Sequence, residues 1–159
     1  GDGTFIGDAS ATLNITGTMN AGSSLNLRLD SDTTARLIFD SAYNTPASLP
    51  QIAGTYTGIA AARGVADDSV VVVIDAFGNI STSSTNYSQC VGTGQISRRS
   101  GNKAIVNFNI QFTGADCLFA GGSTMNGVGV YDNESVVAIG MNAAKTQGLL
   151  LVADKSAPR

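Results

Sequence analysis

The sequence predicts an all-β fold: an antiparallel β-sandwich or a flattened β-barrel of roughly nine to eleven strands, with almost no helix. Three observations carry that expectation. The first is composition. Charged residues make up 13% of the 159-residue chain, and Ser, Thr, Asn and 19 glycines supply the polarity. These residues suit turns and strand surfaces and disfavour helix interiors. Glu134 is the only glutamate, and Lys103, Lys145 and Lys155 are the only lysines. An exposed helix face normally draws on both types. The second observation is period-two alternation, and the third is the spacing of turn residues between the alternating runs.

From the N-terminus, "TLNIT" puts Leu13 and Ile15 on one face and Asn14 on the other. In "LNLRLD", Leu25, Leu27 and Leu29 face one way, Asn26 and Arg28 the other. "DSAYNTPASLP", Asp40 to Pro50, holds two prolines and is a connection. "IAGTYTG", Ile52 to Gly58, places Tyr56 among glycines. It reads as a bend in the fold with the ring capping the core. The phrase "ITGTMNAG" echoes it, but two copies make no repeat array. "GIAAARGVADD", Gly58 to Asp68, reads as a loop, because Gly64 interrupts it and no amphipathic stripe forms.

From Asp68 onward the chain reads as an antiparallel meander. "VVVVI", Val70 to Ile74, turns at "DAFGN" toward Ile80. "RRSGNK" leads into "VNFNIQF", whose Val106, Phe108, Ile110 and Phe112 form one face against Asn107, Asn109 and Gln111. "YDNES" and "NAAKTQG" supply the later turns. The predicted core includes Leu25, Leu27, Leu37, Phe39, Val72, Ile74, Phe108, Ile110, Phe112 and Leu150. One domain over residues 1–159 is expected, with strands in 1–45 and the meander of 51–155 sharing one core.

Cys90 and Cys117 are the only cysteines. In a Ser/Thr/Gly-rich β chain they suggest one structural disulfide and an oxidising compartment, against the alternative of two buried free thiols.

The chemistry is narrowed by what is missing. The sequence has no histidine, so neither a Ser-His-Asp nor a Cys-His arrangement can be built. No metal or other cofactor is expected. "DAFGN" fails as a calcium loop, because Phe77 stands at a ligand position. "GTGQIS" at Gly92 and "AGGSTMNGVG" near Gly121 have glycines but no following helix to cradle phosphate. Neighbouring Asp67 and Asp68 alternate on a strand and cannot share a cleft. Tyr43, Tyr56, Tyr87 and Tyr131 are read as packing at core edges rather than as stacking platforms. "NIT", "NYS" and "NES" fit the glycosylation triplet.

Net charge is −3 and the arginines are scattered, so nucleic acid is not an expected partner. "VVVVI" is too short to span a bilayer as a helix. No signal peptide is present, and the opening "GDGT" makes that uninformative.

The order of "IAGTYTG", "VVVVIDAFGNIS", "CVGTGQIS", "NKAIVNFNIQF", a second cysteine, "GVGVYD" and "QGLLLVADK" resembles a group of small lipoproteins and secreted proteins of Gram-negative bacteria. The resemblance spans most of the chain and rests on structural motifs. It implies export to the periplasm, outer membrane or cell surface. It also implies a lipid anchor on an N-terminal cysteine outside this sequence, and it implies no reaction. "GTY" at Gly54 to Tyr56 is a weaker likeness to the opening of lipocalin-type barrels. The functional expectation is a non-catalytic envelope protein that binds another macromolecule. A lipocalin-like carrier and an Asp-dependent hydrolase are the alternatives.

Overall fold

Period-two patterning becomes eleven antiparallel strands in the computed structural model, which describes residues 15–29, 33–62, 65–101, 103–117 and 122–156. Strands β1 (Ile15–Asn20), β2 (Ser24–Leu29) and β3 (Thr33–Ile38) form a separate sheet in the order β1-β2-β3. A short 3-10 turn (Ser41–Asn44) and one turn of helix, α1 (Leu49–Ile52), follow. Then come β4 (Gly54–Ala62), β5 (Val65–Ile74), β6 (Asn79–Ser84), β7 (Val91–Arg98), β8 (Ile105–Thr113), β9 (Thr124–Asp132), β10 (Ser135–Asn142) and β11 (Gly148–Lys155). These eight form an up-and-down meander. It closes on itself because β11 pairs back onto β4, with Leu151 opposite Ala60 and Val152 opposite Ile59.

The all-β class holds and the architecture is a closed barrel, not a sandwich. Instead of nine to eleven strands in one layer system, eight make the barrel and three stand apart. Closure removes every sheet edge from the barrel.

The core lies inside the barrel. Val72, Ile74, Phe108, Ile110 and Phe112 are buried there, as predicted, beside Ile80, Ile96, Met125 and Leu151. Inward Phe108 is opposite Gly127, next to Gly140 on the following strand. A Cβ at either glycine would come within 2.6 Å of its ring. Side-chain-free backbone there gives the aromatic its room inside a narrow barrel.

Five core assignments are corrected. Leu150 is 42% exposed, while Leu149 and Leu151 point inward. Three consecutive leucines hide the period, and pairing with β4 and β10 sets which two face in. Leu25 and Leu27 are only half-buried, and Leu37 and Phe39 are exposed at 53% and 39%. They belong to the separate sheet or the segment just after it, and no described residue of β1–β3 enters the buried cluster. The alternation in "LNLRL" does put three leucines on one face, but that face is not covered by the barrel.

Gly58 to Asp68 is also corrected, from loop to hairpin arms. β4 runs to Ala62 and β5 starts at Val65. Ala60, Ala61 and Ala62 are buried small residues in the barrel wall, and a register shift between Gly58 and Ala60 breaks the visible period. A bulge of this kind sharpens strand curvature.

Each end of the barrel is closed differently. At the base, α1 lays Ile52 under Tyr56, and the Tyr56 hydroxyl donates to the Ile52 carbonyl. Lys155 donates to the Gln51 carbonyl at 3.0 Å and sits 5.8 and 5.7 Å from the rings of Tyr56 and Tyr131. At the mouth, Cys90 and Cys117 are bonded. The predicted disulfide thus ties the β6–β7 connection to the segment after β8. A bonded pair points to an oxidising, exported environment.

Candidate interaction surface

A carrier needs an empty cup. Ligand pockets hold about 300–1,000 Å³. Among the described residues the barrel interior shows two small voids, of about 40 and 50 Å³. Inward Phe, Ile, Val, Leu and Met side chains occupy the rest.

At the mouth the barrel does hold one polar cluster, which sequence reading missed. Asp67 is 2% exposed, the one buried charged residue among the described residues. Its Oδ1 accepts from the Ser69 backbone N–H at 3.0 Å, the Ser69 hydroxyl at 2.8 Å and the Asn86 amide at 3.0 Å. The Ser84 hydroxyl joins Ser69 at 2.9 Å. Asp67 faces in and Asp68 faces out, as alternation requires, yet Asn86 Nδ2 also reaches Asp68 Oδ1 at 3.2 Å. Burial pushes the Asp67 carboxyl up, but the bonds from Ser84, Ser69 and Asn86 outweigh it and hold it below the usual carboxylate range. Held by neutral donors, it stays ionised at neutral pH and ties the β6–β7 connection to β5.

That arrangement has a measurable consequence. A carboxyl held low in the folded state contributes stability above its unfolded value of about pH 4. The contribution is lost as pH falls through the lower folded value. Asp67→Asn places an amide NH₂ among donors, and should cost about 1–3 kcal/mol at neutral pH. Urea midpoints measured from pH 7 downward should converge for variant and wild type at acid pH. Parallel curves would refute the assignment.

Asp75 has a local role instead. Its carboxylate accepts from Phe77 N and Asn79 N, both at 2.8 Å, and from Asn79 Nδ2 at 2.6 Å. The Asn79 side chain, more than any other group, holds it below the usual carboxylate range. This is a turn clasp built on "DAFGN", with Gly78 at φ 87°. Asp154 accepts from the Ser135 hydroxyl at 2.5 Å, and Asp116 from the Gln89 N–H at 3.2 Å. No group of three or more His, Cys, Asp or Glu among the described residues is arranged to hold a metal ion.

The tyrosines divide. Tyr56 is fully buried, Tyr87 and Tyr131 are half-buried, and Tyr43 is exposed beside Phe39, with Lys103 Nζ 5.0 Å from its ring. Of the glycosylation triplets, Asn14 lies outside the described residues, Asn86 is engaged by Asp67, and Asn133 stands on the exposed β9–β10 turn. Gly121 is likewise outside the described residues; Gly92 lies within β7.

The outer wall is two-sided. Over β6, β7 and β8 it presents Ser81, Ser83, Thr93, Gln95, Asn107, Asn109 and Gln111. Over the middle of β4, β11, β10 and β9 it is apolar, bounded by Thr57, Asp154, Ser135 and Asp132 on one side and Asn126 on the other. Ile59, Val152, Val137 and Val130 form one row across four strands. Leu150, Ile139 and Val128 form the next. Exposure is 51% at Ile59, 56% at Ile139 and 45% at Val152. The three-stranded sheet has a similar face. Residues directly opposite one another share a side: Ile15 with Leu29, Met19 with Leu25, and Leu25 with Leu37. Met19 is 74% and Ile15 56% exposed. Thr16, Asn26, Arg28 and Arg36 occupy the other side.

Contiguous uncovered apolar patches mark interaction sites, whereas single exposed apolar residues do not. No helix among the described residues is long and apolar enough to cross a membrane. Comparison with protein families, with curated proteins and with solved structures finds no match.

Proposed function

We propose that this chain is a non-catalytic, exported protein of the bacterial cell envelope that binds another macromolecule through its apolar faces. The single observation that carries the reading is the pair of uncovered apolar surfaces, on the β4–β11–β10–β9 flank and on β1–β3. The filled barrel supports it over the carrier alternative. The clasped state of Asp67 and Asp75 supports it over a paired-carboxylate hydrolase, whose two groups must flank a substrate about 5–9.5 Å apart. The sequence resemblance adds the envelope location and an N-terminal lipid anchor.

Immobilised protein should retain a partner from envelope extracts, whether a separate component or more of the same chain. Ile139→Arg should lower that recovery about tenfold or more, the scale of a truncated hot spot. Equal recovery on wild type and variant would overturn the reading.

A further inference from the structure

We infer that the occupant of these faces is a second copy of this chain: the three-stranded sheet of each copy covers the apolar barrel flank of the other in a reciprocal dimer. The inference rests on the reading above and names the partner for the same surfaces.

Both halves of the contact are present in one chain. The sheet offers Ile15, Met19, Leu25, Leu27, Leu29 and Leu37 on one side, with no charged residue among them. The flank offers Ile59, Val152, Val137, Val130, Ile139 and Leu150, also uncharged. Two sheets with apolar faces pack at about 10 Å and interdigitate. A pairing of sheet on flank covers both patches at once, whereas sheet against sheet leaves the flank bare. A sheet with one apolar face is ordinarily packed through that face against another element.

The tether argues for a second copy over the chain's own sheet. Residues between the sheet and α1 are tied to the β7–β8 turn at the base of the barrel. Ala47 N donates to the Lys103 carbonyl at 3.1 Å, Ala104 N to the Tyr43 carbonyl at 3.0 Å, and Lys103 Nζ to Asn44 Oδ1 at 2.6 Å. With those ties intact the sheet's apolar face is uncovered, and Met19 and Leu37 are 74% and 53% exposed. With the ties in place the chain's own sheet leaves its own flank exposed, at Ile59, Val152 and Ile139 among others, and a second copy's sheet can cover it.

Area argues for reciprocity. Three strands about 4.8 Å apart, of six residues at about 3.4 Å each, present a face of roughly 14 by 20 Å. One such contact removes roughly 600 Å² counted on both partners, short of the roughly 1,200–2,000 Å² of stable interfaces. Two reciprocal contacts reach the lower edge of that range. They also close the assembly, where a one-way contact would propagate into a fibre.

The test is sedimentation of the purified full chain with its disulfide intact. Wild type should run as a dimer. Met19→Arg/Leu37→Arg and, separately, Ile139→Arg should each weaken dimerisation at least about tenfold. All these positions are exposed in the single chain, so each variant should keep its disulfide and a cooperatively unfolding barrel, with the melting temperature lowered only by the lost association. Mixing the two variants should recover part of the dimer, because one sheet and one flank in the mixture remain native. A monomeric wild type overturns the inference. So does a dimer lost with the sheet variant but kept with Ile139→Arg, which would be sheet against sheet. A monomer that floats with phosphatidylethanolamine–phosphatidylglycerol vesicles assigns the faces to lipid and also overturns it. A monomer that still draws a separate component from envelope extracts overturns only the second copy. One that draws nothing overturns the binding reading as well.

Discussion

Tyr56→Ala should lower the unfolding free energy by roughly 3–5 kcal/mol, the range for truncating a buried aromatic ring. Tyr56 is fully buried and lines the base of the barrel beside Val72, Ile74 and Ala153. Its hydroxyl donates to the Ile52 carbonyl. One side chain therefore couples the barrel to α1, which is too short to hold its own shape. Burial, reinforced by Tyr131 and Glu134, pushes the phenol up to about 12. It remains a donor over the whole range in which the protein is handled. Tyr56→Phe separates the two contributions. It keeps the ring and leaves a carbonyl without its donor, and should cost about 1 kcal/mol. Urea titration of both variants checks the division. A loss below about 1 kcal/mol for Tyr56→Ala would mean that neighbouring side chains refill the space, contrary to the close packing described.

The legible parts of this fold are those where one strand face is wet. In "VNFNIQF" every second residue is apolar and every intervening one is an amide, and β8 follows that pattern into the barrel. "LLL" at Leu149 to Leu151 carries no such contrast. Its outer face is apolar as well, because it belongs to the uncovered flank. The same cause hides the flank itself. Ile139, Val137 and Val152 look like core until pairing fixes which way they point. The N-terminal leucines fail in the opposite sense. Their alternation is genuine, but alternation reports a shared face and cannot say what covers it. Asp67 was illegible because its position depends on a hairpin built from alanines. Ala60 to Ala62 suit a loop or a helix turn by propensity, and only barrel closure requires them to be small.

Replacing Cys90 and Cys117 by serine together should cost roughly 3–3.5 kcal/mol, the chain-entropy value for a loop of this length. The two residues are 27 apart in sequence. Both also pack against the buried cluster, so the loss should not be purely entropic. The cross-link joins two connections at the mouth of the barrel. Between β6 and β7, and after β8, the backbone leaves the ladder, and Gln89 N–H on Asp116 at 3.2 Å is a solvent-facing bond. The first of these, the β6–β7 connection, also covers Asp67. Asn86 approaches Asp67 from the same β6–β7 connection that Cys90 anchors. Loosening it should therefore weaken the hold on the carboxylate. The serine pair should then show a smaller stability gain between pH 3 and pH 7 than the wild type. Adding Asp67→Asn to the serine pair should cost less than it does in the wild type, a coupling of about 0.5–3 kcal/mol for residues sharing a network. Strict additivity in that double-mutant cycle would separate the disulfide from the buried carboxylate and leave each acting on its own.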